Sequence, residues 1–181
     1  LPIFFDTIKM VAAVYTDLVF VIPAVFEVEE LISNKVSKFR DKTGLNVLIL
    51  SQKNLDITDN FEDLKFSLFR TAAIALATSG TVVLELARTG VPMVVGYRTH
   101  YLNELIIKAL VKTKRANLID IIADSSEIPE FVFSDCTSEN LSNAIKDILN
   151  DSNLAAKQLE LSRQVMKLLG FGSTDPGERA A

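Results

Sequence analysis

The window Ala77-Thr78-Ser79-Gly80-Thr81-Val82-Val83-Leu84-Glu85 sets two small hydroxyl residues around one glycine and a carboxylate four residues further on. It leaves an apolar run, turns through small polar residues and enters a helical pattern. A helix start offers N–H groups with no partner inside the helix, and the helix dipole adds partial positive charge, so such a turn is an anion site. Gly80 lets a phosphate come close to the backbone, and Ser79 and Thr81 can donate hydroxyl hydrogen bonds to it. Glu85 follows Thr81 by one helical turn and shares its side of the helix. A carboxylate there could accept hydrogen bonds from the hydroxyls of a ribose. The competing reading is structural: Ser79 as a helix cap and Glu85 as a solvated surface charge.

A second window, Gly90-Val91-Pro92-Met93-Val94-Val95-Gly96-Tyr97-Arg98, reads as a buried strand that delivers Tyr97 and Arg98 to the same edge as the Ser79 turn. Arg98 could hold a phosphate through two parallel hydrogen bonds, or form a surface ion pair. A third stretch, Tyr101 to Lys112 and the turn after it, carries Lys108, Lys112, Lys114 and Arg115 within eight positions. That density could meet an anionic membrane surface; the alternative is a packed helix with a solvated face. No Walker loop, G-x-G-x-x-G, H-E-x-x-H or G-x-S-x-G pattern occurs. Ser79 is a poor nucleophile, because His100, the one histidine, lies 21 residues on and completes no triad.

These windows need a scaffold, and the hydrophobic pattern predicts one. Phe4, Ile8, Val11 and Tyr15 recur at helical spacing, predicting a helix from Pro2 to Tyr15. Leu18 to Ile22 predicts a strand buried on both faces and closed by Pro23. Val28, Leu31, Ile32, Val36 and Phe39 mark a helix stopped by Gly44, with acidic residues at its start and basic ones at its end. Val47 to Leu50 predicts a strand, Asn54 to Asn60 a polar loop, and Phe61 to Arg70 a helix with Leu64 and Leu68 on one face. A strand over Ala72 to Ala77, a helix over Gly80 to Thr89 stopped by Gly90, and a strand over Pro92 to Tyr97 follow. Asn117 to Ala123 reads as a short strand or extended segment, Thr137 as the cap of a helix, and Leu154 to Leu168 as the last long helix. Alternating apolar strands and helices predict an α/β fold, a Rossmann-like parallel sheet with helices on both faces. Ligands on such sheets bind at the carboxyl ends of the strands, so the loops after strands are the places to search.

Composition narrows the function classes. The 181 residues are 49% hydrophobic and 23% charged, a globular balance. A net charge of −4 gives no global attraction to nucleic acid. Cys136, the one cysteine, can form no internal disulfide, and with a single histidine it builds no zinc site. The chain reads as cytoplasmic, with no apolar run near the roughly 20 residues of a membrane span. It opens on Leu1 rather than Met. Asp175-Pro176-Gly177-Glu178 looks like a helix start that stops at Ala181. Both ends therefore read as cut from a longer protein, with a domain over residues 1–170 and the start of a further helix over 171–181.

The run SGTVVLELARTGVPMVVGYR, Ser79 to Arg98, resembles the C-terminal half of the lipid-A-disaccharide synthases, which are glycosyltransferases of two Rossmann-like domains (GT-B architecture). The segment LVKTKRANLIDIIADSSEIPEF, Leu110 to Phe131, is similar to that family's LVKT…LPNLLAG…E stretch. The opening LPIFFDTIKMVAAVYTDLVFVIPA resembles the helix and strand that follow the family's Gly-Ser-Arg loop. An SGT turn with a downstream Glu is shared by many such transferases, whereas PMVVGYR with LVKT is more specific.

The resemblance implies transfer of 2,3-diacylglucosamine from its UDP derivative to 2,3-diacylglucosamine 1-phosphate, with release of UDP and no metal or other cofactor. Carried over by position, Ser79, Gly80 and Thr81 would face the diphosphate and Glu85 the ribose. Tyr97 and Arg98 would line the cleft, and Asp120 would lie near the nucleotide. The family's Pro-Asn pair falls at Ile119-Asp120 and its glycine at Asp124. The family's catalytic base would lie before Leu1, so no base is assigned here. The resemblance leaves room for peripheral contact with the cytoplasmic face of an anionic inner membrane and for a homodimer. Other UDP-sugar enzymes of the same architecture, such as a cell-wall N-acetylglucosaminyl transferase or an epimerase, stay open. So do a nucleotide-binding module without catalytic work and a scaffold domain.

Overall fold

The computed structural model describes residues 2–51, 53, 60–98 and 117–171. The expected loop over 54–59, His100, the expected helix over 101–112, the basic residues Lys108, Lys112, Lys114 and Arg115, and the segment 172–181 lie outside the described residues. The chain divides into two compact units, Leu1–Leu68 and Phe69–Ala181.

In the first unit, helix α1 (Pro2–Ala12) precedes strand β1 (Phe20–Ala24), a 3-10 turn (Phe26–Val28), helix α2 (Glu29–Thr43) and strand β2 (Val47–Ser51). The strands pair in parallel from Phe20↔Val47 to Ala24↔Ser51. Ala24, Ile32, Val36 and Val47 form the buried core, with Phe5 and Phe39 packed against it and stacked at 4.6 Å. Gly44 ends α2 as predicted: at φ 71° its N–H turns back to the Arg40 carbonyl, a conformation a side chain would strain. Three features differ from the sequence reading. Helix α1 stops at Ala12 and unwinds through a turn in which Val14 and Tyr15 donate to the Val11 carbonyl. Pro23 lies inside β1 rather than closing it; β1 pairs only with β2 among the described residues, so the missing N–H can fall on the unpaired side. Strand β1, expected to be buried on both faces, is half-buried from Phe20 to Pro23.

Helix α3 (Phe61–Thr71) spans the division between the units. Its buried positions are Phe61 and Phe69 rather than Leu64, which is exposed.

The second unit contains strand β3 (Ala75–Ala77), helix α4 (Val82–Thr89), strand β4 (Met93–Tyr97), helix α5 (Leu118–Ala123) and strand β5 (Glu130–Val132). A 3-10 turn (Phe133–Asp135) and helices α6 (Ser138–Asn150) and α7 (Ser152–Leu168) complete it. The sheet runs β3-β4-β5, with parallel pairs Ala77↔Val95 and Tyr97↔Val132. Met93 to Gly96 are buried at its centre, as a central strand covered on both faces requires. This is the α/β pattern of parallel strands and helices that the alternation predicts.

The extended segment expected over Asn117 to Ala123 is instead helix α5. Ile119, Ile121 and Ile122 favour strand by their branching, but the Asn117 side chain accepts the Asp120 N–H at 2.9 Å and starts a helix. Thr137 caps α6 as predicted, accepting the Asn140 N–H at 3.2 Å. Asp151 does the same for α7 through Asn153.

Candidate functional site

The site is built on the carboxyl edge of the three-stranded sheet. Strand β3 ends at the buried Ala77, and the chain emerges through Thr78, Ser79, Gly80 and Thr81 before α4 begins at Val82. The helix starts two residues later than the sequence suggests. Thr81 already holds helical angles, φ −63° and ψ −26°, and its side chain makes no cap hydrogen bond to α4.

Gly80 sits at φ 148°, a region closed to L side chains on backbone grounds alone. A Cβ built there would meet nothing within 4 Å. Glycine is thus required by the course of the backbone, and the space in front of it is open. Gly80 and Thr81 are exposed, and Ser79 is half-buried. The N–H groups of Val83, Leu84 and Glu85 turn back onto the carbonyls of Gly80 and Thr81. Among the described residues no acceptor meets the N–H groups of Gly80, Thr81 or Val82. The donors open to a ligand therefore lie in the turn, one step before the helix proper.

Glu85 is half-buried on α4, and its N–H donates to the Thr81 carbonyl at 3.3 Å. That bond sets it one turn below Thr81, as the spacing requires. On the next strand, the register Ala77↔Val95 carries Gly96, Tyr97 and Arg98 past the end of β3 on the same edge. Arg98 is exposed. Its guanidinium acts electrostatically on Cys136, whose thiol pKa burial pushes up and Arg98 draws back down. The sheet thus brings Ser79, Gly80, Thr81, Tyr97 and Arg98 to one edge, with Glu85 on the helix that leaves it.

Asp120 has a different setting. It is 2% exposed, and its carboxylate accepts the Asn117 side-chain amide at 2.9 Å, the Glu127 N–H at 3.1 Å and the Ile128 N–H at 3.3 Å. A carboxylate so occupied holds the 124–128 turn rather than offering oxygens to a ligand. Asp124, at the position of the resembling family's glycine, ends α5 at φ 48°, a conformation that glycine adopts without strain.

Two contributors escaped the sequence reading. Asn117 had a signal, an acceptor three residues before the group it caps. Phe133 had none; it follows β5 at φ 54° and meets Tyr97 edge to face at 6.3 Å. Among the described residues no group of three His, Cys, Asp or Glu side chains is placed to hold a metal ion. No helix among them is long and apolar enough to cross a membrane.

Comparison with known proteins bears on what this edge does. The sequence profile of a family described as lipid-A-disaccharide synthetase matches residues 5–181. The chain is 34% identical over 173 residues to the lipid-A-disaccharide synthase of Rickettsia prowazekii, covering 96% of this chain and 42% of that protein. It is 31% identical over 181 residues to that of Rhodospirillum centenum, covering 100% of this chain and 42% of the relative. The synthase of Nitrobacter hamburgensis is 40% identical over 117 residues, 65% of this chain and 30% of that protein. The chain therefore spans less than half the length of these relatives.

Proposed function

This chain belongs to the lipid-A-disaccharide synthetase family, and we propose that it supplies the half that binds a UDP-sugar donor. The reaction in which it takes part transfers 2,3-diacylglucosamine from UDP to 2,3-diacylglucosamine 1-phosphate. Within residues 1–170, the Ser79-Gly80-Thr81 turn holds the diphosphate, Glu85 accepts hydrogen bonds from the ribose and Arg98 pairs with a phosphate. Asp120 is left out of this set, because its carboxylate is engaged by the protein's own donors.

The observation that carries the reading is the exposed Gly80 turn at the carboxyl end of β3, where the N–H groups of Gly80 and Thr81 meet no acceptor among the described residues. Negative charge grows on the departing UDP as the glycosidic bond breaks. Donors fixed beforehand at that point stabilise the transition state more than the ground state, which is what accelerates a reaction. They need no reorganisation at the moment of transfer. The base that activates the acceptor hydroxyl is assigned to the part of the relatives that this chain does not span. Acylated substrates favour a reaction at a membrane surface, for which we propose the cytoplasmic face, and a homodimer is compatible with it.

Titration calorimetry of the chain with UDP tests the proposal. Saturable binding below about 1 mM, equivalent to about 4 kcal/mol, is expected. Absence of heat up to that concentration would defeat it.

A further inference from the structure

Two described residues other than glycine hold positive φ, Asp124 at 48° and Phe133 at 54°. Asp124 has a local reason, since it terminates α5 and donates its N–H to the Asp120 carbonyl. Phe133 has no such helix to end. It is a bulky aromatic residue directly after β5, where a glycine or asparagine would sit without strain. Backbone held in such a region is strained, and strain of this kind clusters at ligand sites. The pairing Tyr97↔Val132 puts Phe133 level with Arg98 at the carboxyl edge. Its ring meets Tyr97 at 6.3 Å with 75° between planes, and both residues are half-buried, so each keeps a solvent-facing surface.

Strand β4 lies between β5 and β3. Two strand spacings amount to about 10 Å, so Phe133 stands across the edge from the end of β3, with Tyr97 on the strand between. A diphosphate on the Gly80 turn, with its ribose at Glu85 and the uracil carried along with the ribose, leaves the sugar, bonded to the outer phosphate, to be placed.

We infer that Phe133, braced by Tyr97, is a specificity-determining wall against which the sugar of a uridine diphospho-sugar packs the C–H face of its ring. The inference rests on the assignment of the Gly80 turn to the diphosphate. An aromatic ring supplies a large apolar surface in a fixed orientation, and the edge-on contact with Tyr97 keeps the ring from folding away.

The test is calorimetry on the full chain with two probes, UDP and UDP-N-acetylglucosamine. Phe133→Ala should lose about tenfold in affinity for the sugar nucleotide and leave UDP binding within about twofold. Phe133→Tyr should keep both affinities. Phe133→Asn, which tolerates the backbone angle, replaces the alanine variant if that one fails to fold, and should show the same selective loss. Equal losses for both ligands, or no loss for either, would overturn the inference. So would a wild-type chain that binds both probes equally well. A wild-type chain that binds neither would remove the diphosphate assignment, and the wall with it.

Discussion

The side-chain oxygen of Gln158 on α7 accepts the backbone N–H of Met93, the first residue of β4, at 2.9 Å. Both residues are almost wholly buried, at 2% and 1% exposure. The bond ties the start of the central strand to the last long helix, and so fixes where that strand delivers Tyr97 and Arg98.

Replacing Gln158 with leucine keeps the helix propensity and similar bulk but strands the Met93 N–H without an acceptor. A buried donor left unmet costs about 1–3 kcal/mol. Urea unfolding followed by circular dichroism should show a loss in that range. An unchanged midpoint would mean that water reaches the Met93 N–H and the tie is dispensable.

Gly80→Ala separates backbone from bulk. A methyl group has room, since nothing lies within 4 Å, yet φ 148° is strained by about 1–3 kcal/mol for any L side chain. The turn should shift, moving the N–H groups of Gly80 and Thr81 from their present positions. UDP affinity is expected to fall by at least about tenfold, with the fold retained. Unaltered UDP binding in this variant would place the diphosphate elsewhere.

How far the site could be read from sequence depended on where each constraint originates. Gly44 and Gly90 announced their helix ends, because both sit at positive φ and that demand is local. The Ser79-Gly80-Thr81 turn was visible for the same reason, since small residues between an apolar run and a helical pattern have few other uses. Asn117 to Ala123 misled because three isoleucines carry the β-like signal, while the deciding contact is one side-chain cap. Gln158 and Phe133 were not legible. Gln158 is a polar residue on an amphipathic helix, and only the packing of α7 reveals that it points inward. Phe133 takes its positive φ where the chain leaves β5, and side-chain type gives no hint of it.

Glu85→Ala should weaken UDP binding by about 1–3 kcal/mol, the range for a hydrogen bond to a charged group. Inorganic pyrophosphate, which lacks a ribose, should bind the variant and the parent equally. Calorimetry with both ligands decides the matter. A parallel loss for pyrophosphate would show that Glu85 shapes the turn rather than the ribose contact.

Asp120→Ala should behave in the opposite way. It takes the acceptor from the buried Ile128 N–H, while the Glu127 N–H keeps Ser125 Oγ and the Asn117 amide keeps Glu130 Oε2. Stability should drop by about 1–3 kcal/mol, the cost of one buried donor left unmet. At a temperature where the variant remains folded, its UDP affinity should match the parent. A selective loss of UDP binding without a stability change would return Asp120 to the ligand set.

Cys136 sets a pH dependence whose direction follows from its surroundings. The thiol is 1% exposed, and burial raises its pKa, with the nearby Arg98 charge opposing that rise. A raised value means that the folded chain keeps a proton the unfolded chain releases. The resulting stability is fully present below the ordinary thiol pKa and is lost as pH climbs through the folded value. Cys136→Val, which cannot titrate, should therefore gain on the parent as unfolding is measured at increasingly alkaline pH, and run parallel to it near neutrality. Arg98→Gln removes the opposing charge, so the thiol should react still more slowly with a thiol reagent under native conditions. Faster labelling in that variant would show that Arg98 guards Cys136 by shielding it and not by its charge.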